Sequence, residues 1–202
     1  MNDEEWEKIT LASYNENADR WSIEHSTPGY WGSQMVRFKE LLPKGDILEI
    51  GCGGGRDAKE LIALGYKYTG VDGSKELIRV AKHNLPGDIN IYHQDLYSFD
   101  IQHQFDGFWC AATLLHIPKK NMAYVLNRIN VHLKPNGTGF ISLKDGDFEG
   151  LTREDGMDRF FALWTPDEFI ECLSVVGFRC EFTQLVVSQK TTWNCFIVRK
   201  VG

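Results

Sequence analysis

Residues 47–56 read Ile-Leu-Glu-Ile-Gly-Cys-Gly-Gly-Gly-Arg, an apolar run followed by four glycines within five positions. The run from Asp46 to Ile50 predicts a buried strand, and Ala58, Leu61 and Ile62 share one face of the helix that follows. Glycines between a strand and a helix let a ligand approach the backbone, where the amides of the helix N-terminus face it. Because a bare tight turn needs fewer glycines, the stretch predicts a ligand-binding loop.

Short apolar runs alternate with helical patterns from Asp46 onward. They predict further strands at Tyr68–Asp72, Ile89–His93, Phe108–Ala112, Thr138–Leu143, Phe178–Val187 and Asn194–Arg199. Strand and helix alternate five times, which predicts an α/β fold: a Rossmann-like, doubly wound, mostly parallel seven-stranded sheet with helices on both faces. Because no helix separates the last two strands, we expect them to form an antiparallel hairpin at one edge.

Local signals mark where several helices begin and end. Ser74 is placed to cap the helix that follows the second strand. Thr165, followed by a proline and then by Glu168, predicts a capping box at the start of a later helix. An apolar stripe from Met122 to Leu133 predicts a long helix that ends at Pro135-Asn136-Gly137.

Composition bounds the class of protein. The 202 residues suit one domain, and a net charge of −6 argues against broad binding to a nucleic-acid backbone. The longest apolar run, Phe108 to Ala112, is too short to span a membrane, and the acidic N-terminus is unlike a signal peptide. Five cysteines without a C-x-x-C pair predict free thiols rather than a disulfide framework or a metal site. We therefore expect a soluble cytoplasmic protein.

The first forty residues carry two amphipathic patterns. Tyr14, Ala18 and Trp21 form the first, residues 31–42 form the second, and Thr27-Pro28-Gly29 predicts a loop between them. We therefore expect residues 1–42 to form a helical lid segment over an α/β core at residues 43–202, the two together making a single domain.

A carboxylate closes the second predicted strand. Asp72 lies about 20 residues beyond Gly51, where a doubly wound nucleotide site places a carboxylate on the ribose hydroxyls. The dinucleotide pattern G-x-G-x-x-G/A fails from Gly51, because Arg56 stands at its sixth position. The pattern does fit if it starts at Gly53, but that start lies two residues further from the strand than Gly51. A nucleotide-binding oxidoreductase is therefore disfavoured and stays as an alternative.

Glu49 followed by glycines at alternate positions resembles the class I S-adenosylmethionine (SAM)-dependent methyltransferases. The resemblance extends along the chain through Gly70-Val71-Asp72-Gly73-Ser74, His93-Gln94-Asp95-Leu96, Phe105–Ala111 and Leu133–Thr138. Tyr14 begins a segment similar to an N-terminal pattern of the family whose tyrosine often closes over the cofactor. Gly73 departs from many relatives, which implies looser packing against the adenine.

The resemblance implies SAM as cofactor and S-adenosylhomocysteine as product. The residues it assigns to cofactor binding are Tyr14, Glu49, Gly51, Cys52, Gly53, Arg56, Asp72, Gly73, Asp95, Leu96, Cys110 and Ala111. Glu49 would hold loop amides or the amino group of the cofactor, and Asp72 would accept from both ribose hydroxyls. Asp95 and the amide of Leu96 would contact adenine.

Two residues of the loop have two interpretations each. Arg56 either pairs with the cofactor carboxylate or is solvated in the first helical turn. Cys52 lies near a helix N-terminus, which lowers a thiol pKa, or it is a small spacer.

The acceptor side carries weaker signals. His116 and Tyr14 are the candidate catalytic residues, and His116 is either a base or a polar contact at a helix start. Arg153 and Arg159 either hold an anionic acceptor or are solvated. The stretch Phe160–Trp164 either lines an acceptor pocket or packs on the sheet.

The function that the resemblance implies is methyl transfer from SAM to a small-molecule acceptor. Nucleic acid is not the expected partner, because no basic patch interleaved with aromatic residues is present in the sequence. The alternatives are methylation of tRNA or protein, nucleotide-dependent oxidoreduction, and SAM binding without turnover. The acceptor atom and the oligomeric state stay open.

Overall fold

Five strands of a seven-stranded sheet pair in parallel in the computed structural model, which describes residues 3–87, 89–188 and 191–202. The strands are β1 Asp46–Ile50, β2 Lys67–Asp72, β3 Asn90–His93, β4 Phe105–Ala111, β5 Leu133–Lys144, β6 Glu149–Glu154, β7 Met157–Ala162, β8 Phe178–Val187 and β9 Thr192–Lys200. The sheet order is β3-β2-β1-β4-β5-β9-β8, and β9 runs antiparallel to both β5 and β8. The predicted sheet and its edge hairpin are confirmed.

Helices surround this sheet. They are α1 Asp3–Glu16, α2 Ala18–Glu24, α3 Gly32–Leu41, α4 Arg56–Ala63, α5 Lys75–Asn84, α6 Lys119–Val131 and α7 Pro166–Val175, with a 3-10 turn at Leu114–His116. The core includes Trp109 of β4 and Phe140 of β5, both fully buried, with ring centroids 3.9 Å apart. Burying one such side chain stabilises the fold by about 1.5–3 kcal/mol. Among the described residues, no helix combines the length and apolar character that crossing a membrane requires.

The two predicted caps have different outcomes. The hydroxyl of Ser74 accepts the N–H of Leu77 at 3.2 Å, so the predicted cap of α5 is confirmed. Thr165 does precede α7, but its side chain makes no capping bond within the described chain. Glu168 instead accepts from Lys119 Nζ at 2.8 Å. The predicted capping box is therefore wrong, because an ion pair between α6 and α7 engages its glutamate.

Strand β5 begins at Leu133, five residues before the predicted start at Thr138. Its pairing with β4 shifts register between Phe105 and Gly107, and Asn136 has a φ of +61°. Residues 135–137 lie within this irregular strand, and α6 ends earlier, at Val131. The predicted helix end at residues 135–137 is therefore wrong.

The N-terminal segment contains three helices where two amphipathic patterns were expected. The helix is interrupted at Asn17, between α1 and α2, so the predicted stripe of Tyr14, Ala18 and Trp21 spans two helices. The rings of Tyr14 and Trp21 still meet edge to face, with centroids 5.4 Å apart. Residues 1 and 2 of the predicted lid segment lie outside the described residues.

Strands β6 and β7 form a separate two-stranded sheet that the sequence pattern did not predict. Their hairpin packs on α1, where Trp6 stacks on Phe160 with ring centroids 4.6 Å apart. The hydroxyl of Thr10 also accepts the N–H of Phe160 at 3.0 Å. The hairpin and α1 therefore pack against each other.

Candidate functional site

A cavity of about 1110 Å³ lies at the carboxyl ends of β1, β2 and β4, where open α/β sheets bind ligands. Helices α1 and α2 and the β6–β7 hairpin supply further wall residues. Every residue predicted to bind a cofactor lines this cavity except Cys110. Cys110 is fully buried, and burial raises the pKa of its thiol. The structure therefore does not bring Cys110 to the site.

The glycine loop requires its glycines for two reasons. Gly51, Gly53 and Gly55 have φ values of +72°, +52° and +84°, a region that side chains disfavour. A side chain at Gly51 would also overlap Thr113. A Cβ at Gly53 would have no described atom within 4 Å, so the loop backbone is open there. The predicted loop is therefore accessible to a ligand.

Asp72 connects the end of β2 to this loop. Its carboxylate accepts the N–H of Gly53 and the N–H of Ser74, each at 2.8 Å. The residue is only 8% exposed, and burial raises the pKa of its carboxyl although the two amides lower it. The predicted ribose-binding carboxylate thus also shapes the glycine loop.

Glu49 is a buried carboxylate at the base of the loop. Tyr68 donates its hydroxyl to Glu49 Oε2 at 2.5 Å. Burial and the nearby Asp57 carboxylate raise the pKa of Glu49 well above its usual range. Arg56 does not neutralise it, because its Nε donates to Asp57 at 2.5 Å and its guanidinium lies over the ring of Tyr30. Arg56 is therefore paired rather than solvated in this structure.

Cys52 and Gly73 are two small residues of the cavity wall. Burial, reinforced by the Asp72 carboxylate, raises the pKa of the Cys52 thiol well above its usual range. The interpretation of Cys52 as a thiol with a lowered pKa is therefore wrong, and its interpretation as a small spacer fits the structure. A Cβ at Gly73 would lie 2.9 Å from Leu11 Cδ2. Leu11 of α1 therefore packs against Gly73.

Asp95 follows β3 and holds a turn. Its Oδ1 accepts the N–H of Tyr97 at 2.8 Å and that of Ser98 at 2.9 Å. Asp95 and Leu96 both line the cavity, as does Ala111 at the end of β4. The turn thus presents both predicted adenine contacts to the same space as Asp72.

Tyr14 and His116, the candidate catalytic residues, contact each other directly. The hydroxyl of Tyr14 lies 2.9 Å from His116 Nε2, and His116 Nδ1 lies 2.6 Å from the carbonyl oxygen of Phe160. Since a carbonyl only accepts, Nδ1 carries the proton and Nε2 accepts from Tyr14. Burial lowers the pKa of His116 to about 3. His116 is therefore a neutral, fixed acceptor whose free lone pair is already engaged.

The two candidate arginines of the hairpin differ in burial and in position relative to the cavity. Arg159 is 3% exposed and lines the cavity, where its Nη1 donates to the hydroxyl of Tyr14 at 3.2 Å. Arg153 is solvated and pairs with Asp158 at 2.8 Å outside the cavity. Of the stretch 160–164, Phe161 lines the cavity and the other members pack in the interior or against it.

Two residues of the cavity wall, Ser22 and Lys144, were not assigned a role of their own from the sequence. The hydroxyl of Ser22 is buried in the cavity wall with no partner among the described residues, and a side chain at Gly54 would overlap it. Lys144, at the end of β5, also lines the cavity. Nothing local distinguishes either residue, because each reaches the site only through the packing of distant segments.

Comparison with known proteins agrees with this geometry. Residues 47–137 match the family model of a methyltransferase domain. A ubiquinone biosynthesis O-methyltransferase of Xanthomonas campestris is 30% identical over 112 residues, which are 53% of this chain and 46% of that protein. The corresponding enzyme of Coxiella burnetii is 29% identical over 160 residues, 74% of this chain and 67% of that protein. The chain thus matches a little under half the length of the Xanthomonas relative.

Solved structures extend the likeness over the whole chain. The 1,6-didemethyltoxoflavin-N1-methyltransferase of Burkholderia thailandensis, with bound S-adenosylhomocysteine, superposes with a TM-score of 0.81 at 21% identity, covering 100% of this chain and 92% of that one. Magnesium protoporphyrin IX methyltransferase of Synechocystis, with bound SAM, gives 0.76 at 14% identity and covers 99% and 98%. The resemblance drawn from the sequence is confirmed: the chain has the fold of the class I SAM-dependent methyltransferases, and its residues 47–137 match the methyltransferase domain family.

Proposed function

We propose that this chain is a methyltransferase that binds SAM, transfers its methyl group to a small molecule and releases S-adenosylhomocysteine. One observation carries the proposal: a single cavity joins the glycine loop, Asp72 and Asp95 to the cluster of Tyr14, His116 and Arg159. The similar proteins include an O-methyltransferase of ubiquinone biosynthesis and a methyltransferase of 1,6-didemethyltoxoflavin, which supports a small acceptor.

The residues present fit SAM. Glu49 is a buried carboxylate at the base of the loop, and no cation among the described residues lies at ion-pair distance from it, which suits the ammonium of the cofactor. The buried hydroxyl of Ser22, which has no hydrogen-bond partner among the described residues, lies beside the same loop and suits the carboxylate of the cofactor. Each carboxylate oxygen of Asp72 accepts one amide and keeps a further lone pair, which suits the two ribose hydroxyls.

SAM bound there would supply a methyl group already activated on a sulfonium. That methyl group would pass to a lone pair of the acceptor, and the electron pair of the broken carbon–sulfur bond would stay on sulfur. The chain orients the acceptor and excludes water, for which the rings of Tyr14 and Trp21 at the cavity wall are placed. A base is needed only for an acceptor that arrives protonated. His116 is a poor one near neutral pH, because its pKa is lowered to about 3.

We further propose that residues 1–42 act as a lid on the core at residues 43–202 within one domain. Leu11, Tyr14 and Trp21 of this segment line the cavity, which supports the lid. We place the activity in the cytoplasm. The five free cysteines support a reducing compartment.

Transfer of a tritium label from the methyl group of SAM tests the function. Three arms receive the enzyme: a small-molecule extract, total tRNA and lysate protein. We expect label in the small-molecule arm together with release of S-adenosylhomocysteine. Label confined to tRNA or protein would favour those acceptors, and binding of SAM with no label in any arm would favour a binding protein. The Asp167→Asn variant, altered at an exposed position of α7, serves as a control that retains activity.

A further inference from the structure

A buried guanidinium lies in the wall of the cavity. The side chain of Arg159 is 4% exposed, and its Nε has no hydrogen-bond partner among the described residues. Its Nη1 donates to the hydroxyl of Tyr14 at 3.2 Å and its Nη2 to the backbone carbonyl of Glu154 at 3.3 Å. A buried charge whose donors are incompletely used is costly. The Nε–H of Arg159 is therefore a donor that an anion could accept from.

Aromatic rings surround this cation. The guanidinium carbon of Arg159 lies 4.8 Å from the ring centroid of Trp21 and 5.0 Å from that of Phe161. A second cation, Lys144 Nζ, lies 4.0 Å from the same Phe161 centroid. All four residues line the cavity. This part of the wall thus combines flat apolar surfaces with two positive charges.

The carboxylates near these cations lie closer to solvent. Glu154 and Asp155 are 41% and 44% exposed, whereas the side chains of Lys144 and Arg159 are 14% and 4% exposed. Lys144 pairs with Glu154 at 2.5 Å, but Arg159 Nη2 stays 3.6 Å from Asp155 and 3.9 Å from Glu154. Arg159 therefore forms only long ion pairs with these two carboxylates, which line the same cavity, and has no carboxylate at hydrogen-bond distance among the described residues. An incoming anion competes with Glu154 and Asp155 for this charge.

We propose that the acceptor of the proposed methyltransferase, on which this inference rests, is a small aromatic acid. Its oxyanion pairs with Arg159 and Lys144, and its ring lies against Trp21 and Phe161. The guanidinium fork matches a planar carboxylate, and aromatic walls accept a flat ring.

Calorimetric titration of the protein saturated with S-adenosylhomocysteine tests this. The probes are benzoate, 4-hydroxybenzoate and salicylate, each compared with its uncharged amide. We expect at least one acid to bind ten times more tightly than its amide, and Arg159→Gln to remove that preference. The control Arg153→Gln changes an arginine of the same hairpin that pairs outside the cavity, and it should retain the preference. Equal affinity for acid and amide, absence of binding by every acid, or an unchanged preference in Arg159→Gln would overturn the inference.

Titration with S-adenosylhomocysteine first shows that each variant is folded. If Arg159→Gln does not bind it, Lys144→Gln replaces that variant and should lower the acid-over-amide preference at least threefold; an unchanged preference would overturn the inference. A wild-type protein that fails to bind S-adenosylhomocysteine contradicts the proposed function itself. Binding of S-adenosylhomocysteine without a preference for any acid contradicts only the acceptor class.

Discussion

The carboxylate of Asp72 accepts the backbone N–H of Gly53 at 2.8 Å, which joins the end of β2 to the glycine loop after β1. Its other oxygen accepts the N–H of Ser74, the residue that caps α5. These two hydrogen bonds therefore hold the glycine loop and the start of α5 in place, and they also fix the orientation of the Asp72 carboxylate. The carboxylate of Asp72 is therefore already oriented to accept hydrogen bonds from a ligand.

Replacing Asp72 by Asn should weaken SAM binding at least tenfold. Asn has nearly the same size, but it loses the charge and brings an NH₂ group towards the amides of Gly53 and Ser74. Hydrogen bonds to charged groups contribute about 1.5–3 kcal/mol each. Calorimetric titration with SAM measures the change, with the exposed Asp167→Asn as control. Equal affinity in Asp72→Asn and the wild type would contradict the assigned role.

Glu49→Gln should stabilise the free protein while weakening SAM binding. Burial raises the pKa of Glu49, so keeping its carboxylate ionised in the folded state opposes folding at pH 8. Gln removes that charge and still accepts from Tyr68. The Tm advantage of the variant should vanish towards pH 4, where the carboxyl is protonated in both states. Melting curves and SAM titrations check both halves, and a variant with undiminished SAM affinity would exclude Glu49 as an ammonium site.

His116→Gln should reduce the sensitivity of the fold to acid. The folded pKa of about 3 lies below the usual value near 6.5, so the unfolded chain binds the proton first. The stabilisation contributed by neutral His116 is complete above pH 6.5 and is lost as the pH falls towards 3, by up to about 1.4 kcal/mol per pH unit. Urea unfolding at pH 7 and pH 5 measures this loss.

The exposed His83→Gln is the matched control for that experiment and should keep the wild-type pH dependence. If His116→Gln kept it too, the neutral, buried state of His116 would be wrong.

Deleting residues 1–25 should abolish turnover and weaken SAM binding at least tenfold. The deletion removes Leu11, Tyr14, Trp21 and Ser22 from the cavity wall and opens the site to water. Far-ultraviolet circular dichroism shows whether the remaining core keeps its structure. A folded truncated protein with normal turnover would refute the lid.

The sheet and the cofactor side of the site were predictable because their signals are local. Buried parallel strands appear as continuous apolar runs, and the glycine positions and Asp72 follow those strands directly. The side chain of Thr165 illustrates the limit, since the capping box depends on a glutamate that a distant lysine engages.

The acceptor side was not predictable because it depends on contacts between distant segments. Arg153 and Arg159 are the same residue type on the same hairpin, yet only Arg159 packs between Tyr14 and Phe161. Ser22 belongs to the site only because α2 lies against Gly54. The hairpin of β6 and β7 was not predicted because its burial depends on packing against α1, which is distant from it in the sequence.

Thermal unfolding with added ligands tests the central claim most directly, since every assignment depends on SAM. A ligand that binds only the folded state at a hundred times its Kd stabilises it by about 2.7 kcal/mol. For a domain of about 200 residues, SAM or S-adenosylhomocysteine should then raise the Tm by about 5–11 °C. NAD and NADP should leave it nearly unchanged. A shift with NAD or NADP, and none with SAM or S-adenosylhomocysteine, would contradict the methyltransferase and favour the oxidoreductase.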